Sequence, residues 1–371
     1  MNAAALDPLD AVLCGAQPPW RMLRTTSRQL LDECAAREIS ALVHYKLSAF
    51  REVDWPADVR LELARAAQSA AATELLRSRE LAAALEALAR HGVRPILLKG
   101  AALAHSVYGC AAVRPRADTD LLIRREDTDA TRRVMRELGY ADTLQSGSEL
   151  LFCQFEMIKR DAFGVEHALD FHWKISTQHL FADVLGYDEL AAAATPVGTL
   201  GGHARGPGDV HALLLACIHP VMHHRNTERL IWLYDIHLLA SRLSADGRDR
   251  FARLAMDKGM RAICVQQLRS AAARFGTPVP ALLIADADGA AAEASAVYLR
   301  PGRRWHHELL QNLRSLPRLR DRVRLLREVV LPNPRYLLKA YGTTGAWAGT
   351  LPALYLLRIV QGIWKILVGR K

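Results

Sequence analysis

The stretch Arg94-Pro95-Ile96-Leu97-Leu98-Lys99-Gly100-Ala101, followed after a loop by Arg116-Ala117-Asp118-Thr119-Asp120-Leu121-Leu122-Ile123, decides the fold. The apolar run 94–98 is short and bounded by a turn residue, which reads as a buried strand. Lys99-Gly100 turns the chain into a helix over 101–108. Residues 119–123 make a second strand, and a helical pattern over 126–138 follows, closed by Gly139. Upstream, residues 22–91 read as helical, with an Ala-, Leu-, Glu- and Arg-rich stretch over 57–90 that ends at His91-Gly92.

Downstream, residues 150–159 and 165–173 carry the aromatic and branched side chains of two further strands. A glycine-rich, hairpin-like stretch over 196–208 leads into helices over 209–223, 227–243, 248–258 and 260–275. The Pro-, Ala- and Asp-rich segment 276–292 reads as a linker. From about 303 the chain is helical, basic and broken by Pro317, Pro332, Pro334 and Pro352. These patterns predict an α+β fold with a small mixed β-sheet core over 93–208, flanked by helical regions. An N-terminal helical region is expected over 1–92, a helical subdomain over 209–292 and a basic C-terminal helical region over 293–371.

The chain has 371 residues, more than a single core usually holds. Hydrophobic residues make up 50% and charged residues 24%, which excludes a disordered tail or a fibre. The formal charge of +10 is uneven, with fourteen Lys and Arg against three Asp and Glu over 301–371 and near neutrality before it. A nucleic-acid binder would spread its basic charge along the binding face, so nucleic acid is not the expected partner. The six cysteines lack metal-ligand spacing and are expected to be reduced, mostly buried thiols. Residues 1–20 have Asp7 and Asp10 where a secretory leader has basic residues, so a cytoplasmic location is expected.

Asp118 and Asp120 are two residues apart on an extended segment, so their carboxylates project from one face and repel unless a cation lies between them. Leu169-Asp170-Phe171 sets a third carboxylate among apolar neighbours, where an isolated charge is costly. Placing that strand beside the first explains it. Three such carboxylates can hold two magnesium or manganese ions, with Asp170 on the side of the attacking oxygen. The turn at Lys99-Gly100 opens a helix N-terminus, a setting that favours phosphate, and Lys99 can add a point charge. Arg116 either faces the phosphates or serves as a structural ion-pair partner. His172 shares the face of Asp170, where it either contacts nucleotide or supports the sheet.

On Leu98-Lys99-Gly100, Tyr108, Arg116-Ala117-Asp118-Thr119-Asp120-Leu121, Gly139-Tyr140 and Leu169-Asp170-Phe171-His172-Trp173, the chain resembles the DNA polymerase beta-like nucleotidyltransferase superfamily. Within it the chain is similar to a bacterial group of uncharacterised nucleotidyltransferase-like proteins. His219, His223 and Arg229-Leu230-Ile231-Trp232-Leu233-Tyr234-Asp235 extend the likeness, which spans roughly 25–275. The resemblance implies a nucleotidyltransferase core that moves a nucleoside monophosphate from ATP or another nucleoside triphosphate to a hydroxyl or phosphate. Asp118, Asp120 and Asp170 would be the catalytic and metal-binding residues, and Lys99, Gly100, Arg116 and His172 the nucleotide-binding ones. It further implies an acceptor in polysaccharide or modified-peptide biosynthesis, a small molecule, sugar or peptide. Ala101 stands where the superfamily commonly has serine, and the interval from Gly100 to Asp118 is long.

Two other readings compete. A nucleotide-binding or membrane-peripheral scaffold of the same fold, without turnover, is consistent with Ala101. A metal-dependent hydrolase would use His219 and His223, four apart on a helix, although the chain has no H-E-x-x-H pattern and Pro220 disturbs the helix start. Residues 351–368 are almost wholly apolar, with Arg358, Gln361 and Lys365 on one helical stripe. With the basic end of the chain, 351–371 reads as a helix at the inner membrane face, or one packed on the body or on another subunit.

Overall fold

Side chains alternate along the short strands, and this alternation sorts them onto two faces of the sheet. The computed structural model describes residues 7–143, 153–285, 287–300, 309–310, 313–314, 316, 318–332, 334, 337–338, 341 and 350–368. Helices α1 (Pro8–Leu13), α2 (Ser27–Ala36), α3 (Ser40–Leu47) and α4 (Ala57–Arg90) precede the sheet. The core then runs β1 (Ile96–Leu97), α5 (Lys99–Ser106), β2 (Thr119–Leu122), α6 (Thr128–Glu137), β3 (Ala141–Asp142), β4 (Gln154–Arg160) and β5 (Glu166–His172). Short helices α7 (His179–Ala182) and α8 (Tyr187–Ala192) and the ribbon of β6 (Thr195–Pro196) and β7 (Arg205–Gly206) lead to the helical half. That half comprises α9 (Asp209–His224), α10 (Leu230–Arg242), α11 (Ala245–Asp257), α12 (Arg261–Phe275), α13 (Ala281–Ile284) and α14 (Ala287–Ala292). Among the described residues of the C-terminal region, α15 (Leu319–Val330) and α16 (Leu351–Val368) follow.

Among the described residues the sheet has five strands in the order β1-β2-β5-β4-β3. Only β2 and β5 run parallel, so the fold is the expected α+β class with a small mixed sheet. Leu97, Leu121, Leu169 and Phe171 point to one side and join Leu81, Leu85 and Leu88 of α4 and Val134 and Met135 of α6. Ile96, Leu98 and Leu122 point to the other and join a cluster built from α1–α3 and α9–α12. Asp120, Asp170 and His172 share the parity of Leu122, so they too emerge on the α9 side.

Local signals explain the boundaries. The Thr26 hydroxyl accepts from Gln29 N and the Gln29 side chain returns the bond to Thr26 N, a capping box that starts α2. Gly92, with φ of +79°, lets the chain turn out of α4 into β1. Residues 150–152 of the expected strand lie outside the described residues, as do residues 369–371 of the expected C-terminal membrane contact. The segment 276–292 is corrected: instead of a linker it forms α13 and α14. Leu283 is fully buried, and its carbonyl accepts from Arg261 Nε at 2.8 Å. One-turn helices are too short to show a hydrophobic period, so composition misread them. The helix α9 also runs through Pro220 and ends at Arg225, which has φ of 51°. The six cysteines are unpaired thiols, four buried and two, Cys14 and Cys110, exposed. No helix among the described residues is long and apolar enough to cross a membrane.

Glu74 of α4 ties this helix to the chain before β2. It accepts from Arg116 at 2.8 Å and 3.2 Å, lies 3.1 Å from His105 Nε2, and also accepts from Ser78. Burial alone would raise its pKa, but these partners override it and hold the carboxyl at about 2. Because the folded pKa lies below the ordinary value of 4.5, the stabilisation is present above pH 4.5 and lost as pH falls toward 2. It should amount to about 2 kcal/mol once solvent screening is allowed for. Urea unfolding of Glu74→Gln beside the wild type is therefore expected to show a gap at pH 7 that closes in acid. A gap independent of pH would disprove the charge-based account.

Candidate functional site

Parallel pairing of β2 with β5 sets Asp120 opposite Asp170 and Leu122 opposite His172. On this shared face His172 Nε2 lies 2.8 Å from Asp120 Oδ1 and 3.4 Å from Asp170 Oδ2, so one imidazole bridges both carboxylates. Lys99 Nζ donates to Asp120 Oδ1 at 2.6 Å. Gln154, opposite His172 on β4, donates its amide to Asp170 Oδ2 at 2.6 Å. Asp120, Asp170 and His172 each present a ligand atom within 4.8 Å of the others. Asp118 precedes β2 and stands at the exposed rim of the same cleft.

The two paired carboxylates differ electrostatically. Burial would raise Asp120, yet Lys99 and His172 hold it well below the usual carboxylate range. Asp170 lacks a cation of its own; burial, opposed by His172 and reinforced by Asp120, pushes it up to about 6. Asp118 is raised as well, first by withdrawal from water in the cleft and then by Asp120. One permanently charged carboxylate therefore sits beside one that titrates near neutrality.

A cleft of about 470 Å³ opens over this face, walled by Gly100 and Arg114 on one side and by His219, His223, His224 and Trp232 on the other. Lys99 has φ of 48°, the left-handed region that disfavours side-chain-bearing residues. The adjacent Gly100 is required by contact: a Cβ there would lie 2.8 Å from Arg114 Nη1. That guanidinium cannot retreat easily. It donates to Asp235 at 2.6 Å and 3.2 Å and to the Pro115 carbonyl at 2.6 Å. Gly100→Ala is accordingly expected to lower stability by about 1–3 kcal/mol, read from the urea midpoint, and an unchanged midpoint would show that the turn has room to spare.

Of the two expectations for Arg116, the structure shows the ion pair: its guanidinium is held by Glu74 and Thr119, with its side chain almost fully buried. Sequence reasoning had not found Arg114 or Gln154. A signal for Arg114 is present in Arg114-Pro115-Arg116, since a residue before proline is held extended and the two arginines then take different partners. Gln154 carries none, because only the β4–β5 register brings it to Asp170. Asp235 is occupied by Arg114 and by the Tyr108 hydroxyl at 2.7 Å. His219, His223 and His224 pack around Trp232 and one another. Burial, then Lys99, lowers His223 to about 3, so its ring is neutral. Among the described residues these histidines do not join a three-ligand metal group.

The carboxylate pair fits a divalent ion. Asp170 Oδ1 and His172 Nδ1 are buried and have no hydrogen-bond partner among the described residues. A buried carboxylate oxygen left unpaired is destabilising, and a hard cation satisfies it. The comparison with curated proteins gave no match. A family model described as an uncharacterised nucleotidyltransferase matches residues 25–276, a span that holds the glycine turn, both aspartate strands and the helices walling the cleft. With more than half of its length inside that match, the chain belongs to this uncharacterised nucleotidyltransferase family.

Proposed function

We propose that the cleft transfers a nucleoside monophosphate from ATP or another nucleoside triphosphate to a hydroxyl or phosphate on a small-molecule, sugar or peptide acceptor. We further infer that the family stands within the DNA polymerase beta-like superfamily, as the glycine turn, the paired aspartates and the third aspartate strand resemble that pattern. The observation that carries the reading is Asp120 opposite Asp170 on parallel strands, next to a glycine turn and inside the matched region.

Asp118, Asp120 and Asp170 would hold magnesium or manganese, an all-oxygen set suited to these ions. Such an ion supplies positive charge at the triphosphate and lowers the pKa of an attacking hydroxyl. Asp170, directly across from Asp120, would take the proton of a hydroxyl acceptor. The acceptor oxygen bonds to the α-phosphorus, the α–β bridging bond breaks and pyrophosphate leaves. His172, hydrogen-bonded to Asp120 and 3.4 Å from Asp170, would position the two carboxylates. Lys99 and the N-terminus of α5 supply charge and backbone N–H groups for the phosphates. Arg114, packed close to Gly100, would keep that turn free of a side chain.

Incubation with α-labelled triphosphates and manganese, scored for pyrophosphate release and for label on an added acceptor or on the protein, tests this. Release with label transfer supports it. Saturable nucleotide binding without release would instead favour a silent scaffold, a reading that rests on the Lys99–Asp120 ion pair and on buried Ala101.

A further inference from the structure

Among the described residues, none of the basic C-terminal region lines the cleft, and α15 and α16 there share a surface pattern. On α15, Leu319, Val323, Leu326 and Val330 are 74%, 57%, 42% and 39% exposed. Spacings of four, three and four residues put them on one stripe. Leu325, on another face, is fully buried, so α15 is anchored on one side and leaves the stripe outward. On α16, Leu356, Leu357, Val360 and Trp364 repeat the pattern and are likewise exposed. The helices are tied together, since the Tyr355 hydroxyl donates to the Pro332 carbonyl at 2.6 Å and Tyr341 bonds Gln361 at 2.9 Å.

Charge is arranged around these stripes. At about 100° per residue, Arg320, Arg324 and Arg327 fall along one border of the α15 stripe, while Asp321 and Glu328 fall on the opposite side. Arg324 meets Glu328 at 3.1 Å, a pair formed one turn apart on the helix. Arg358 and Gln361 border the α16 stripe in the same way. Exposed apolar stripes on two neighbouring helices are unusual on a soluble monomer, and a cationic margin is the arrangement of helices that lie in a headgroup layer. The fourteen Lys and Arg against three Asp and Glu over 301–371 complement an anionic surface.

We propose that α15 and α16 form a peripheral docking surface for a bilayer bearing anionic headgroups, with the apolar stripes entering the headgroup boundary and the arginines meeting lipid phosphates. The proposal is independent of the chemistry of the cleft. Co-sedimentation of the full chain with vesicles of phosphatidylcholine, with and without phosphatidylglycerol, tests it. Binding to the anionic vesicles is expected to be about tenfold tighter or more, and to weaken as salt shortens the screening length. Leu326→Asp with Leu356→Asp should reduce vesicle affinity about tenfold or more with an unchanged thermal midpoint, because both sites are exposed. Arg320→Glu with Arg327→Glu should abolish the preference for phosphatidylglycerol. No sedimentation with either vesicle, or equal binding to both, would overturn the proposal. So would a dimer in light scattering that Leu356→Asp dissolves, since the stripe would then belong to a second copy of the chain.

Discussion

Asp120→Asn is expected to lower manganese-dependent pyrophosphate release by about a thousandfold or more while the protein stays folded. A divalent ion contributes several kcal/mol to phosphoryl chemistry, and each 1.36 kcal/mol is a factor of ten. Asp120 is the carboxylate best able to hold one, since Lys99 and His172 keep it ionised and Asp170 lies across from it. Asparagine retains the shape and an oxygen to accept from Lys99 but removes the charge. Manganese binding should weaken in parallel, measured by titration in the absence of nucleotide, and the near-ultraviolet circular dichroism should be unchanged. Activity within tenfold of wild type at saturating manganese would remove Asp120 from the site.

The largest loss of stability is expected at Asp235. Arg114 and Asp235 are both buried and joined by two hydrogen bonds, and Tyr108 donates to the same carboxylate. Burial opposes the charge on Arg114, and Asp235 overrides it. Asp235→Ala leaves a buried guanidinium without its counter-charge and should destabilise by about 3–5 kcal/mol, seen as a lower urea midpoint. Replacing the pair together, Arg114→Met with Asp235→Leu, should recover part of that loss, because it removes the uncompensated guanidinium while the Tyr108 hydroxyl still loses its acceptor. If the single and double variants unfold alike, the pair has no special weight. The double variant is still expected to weaken triphosphate binding, since Arg114 lines the cleft beside Gly100.

Much of this site was legible in the chain. The Lys99-Gly100 turn, the paired aspartates and Asp170 between leucine and phenylalanine each announce themselves within a few residues. Their period of two is what puts Asp120 and Asp170 on a face opposite Leu121 and Phe171. The roles of the cations were far less legible. Arg116 could be read either as facing a phosphate or as pairing with an acid, and the acid it pairs with, Glu74, lies 42 residues earlier. Arg114 drew no notice, yet it pairs with Asp235, 121 residues later, and dictates the glycine.

Sequence alone determined four of the five strands of the sheet, the glycine turn, the α+β class and the placing of Asp120 and Asp170 on strands, because hydrophobic alternation and backbone turn preference act between near neighbours; the two-residue β3 is too short to show a period. Tertiary structure decided which carboxylate is charged and which titrates near neutrality, that His172 bridges them, and which guanidinium belongs to which acid. Those outcomes depend on burial and on ionic partners brought together by distant helices, and a long charged side chain takes whichever counter-charge the packing delivers.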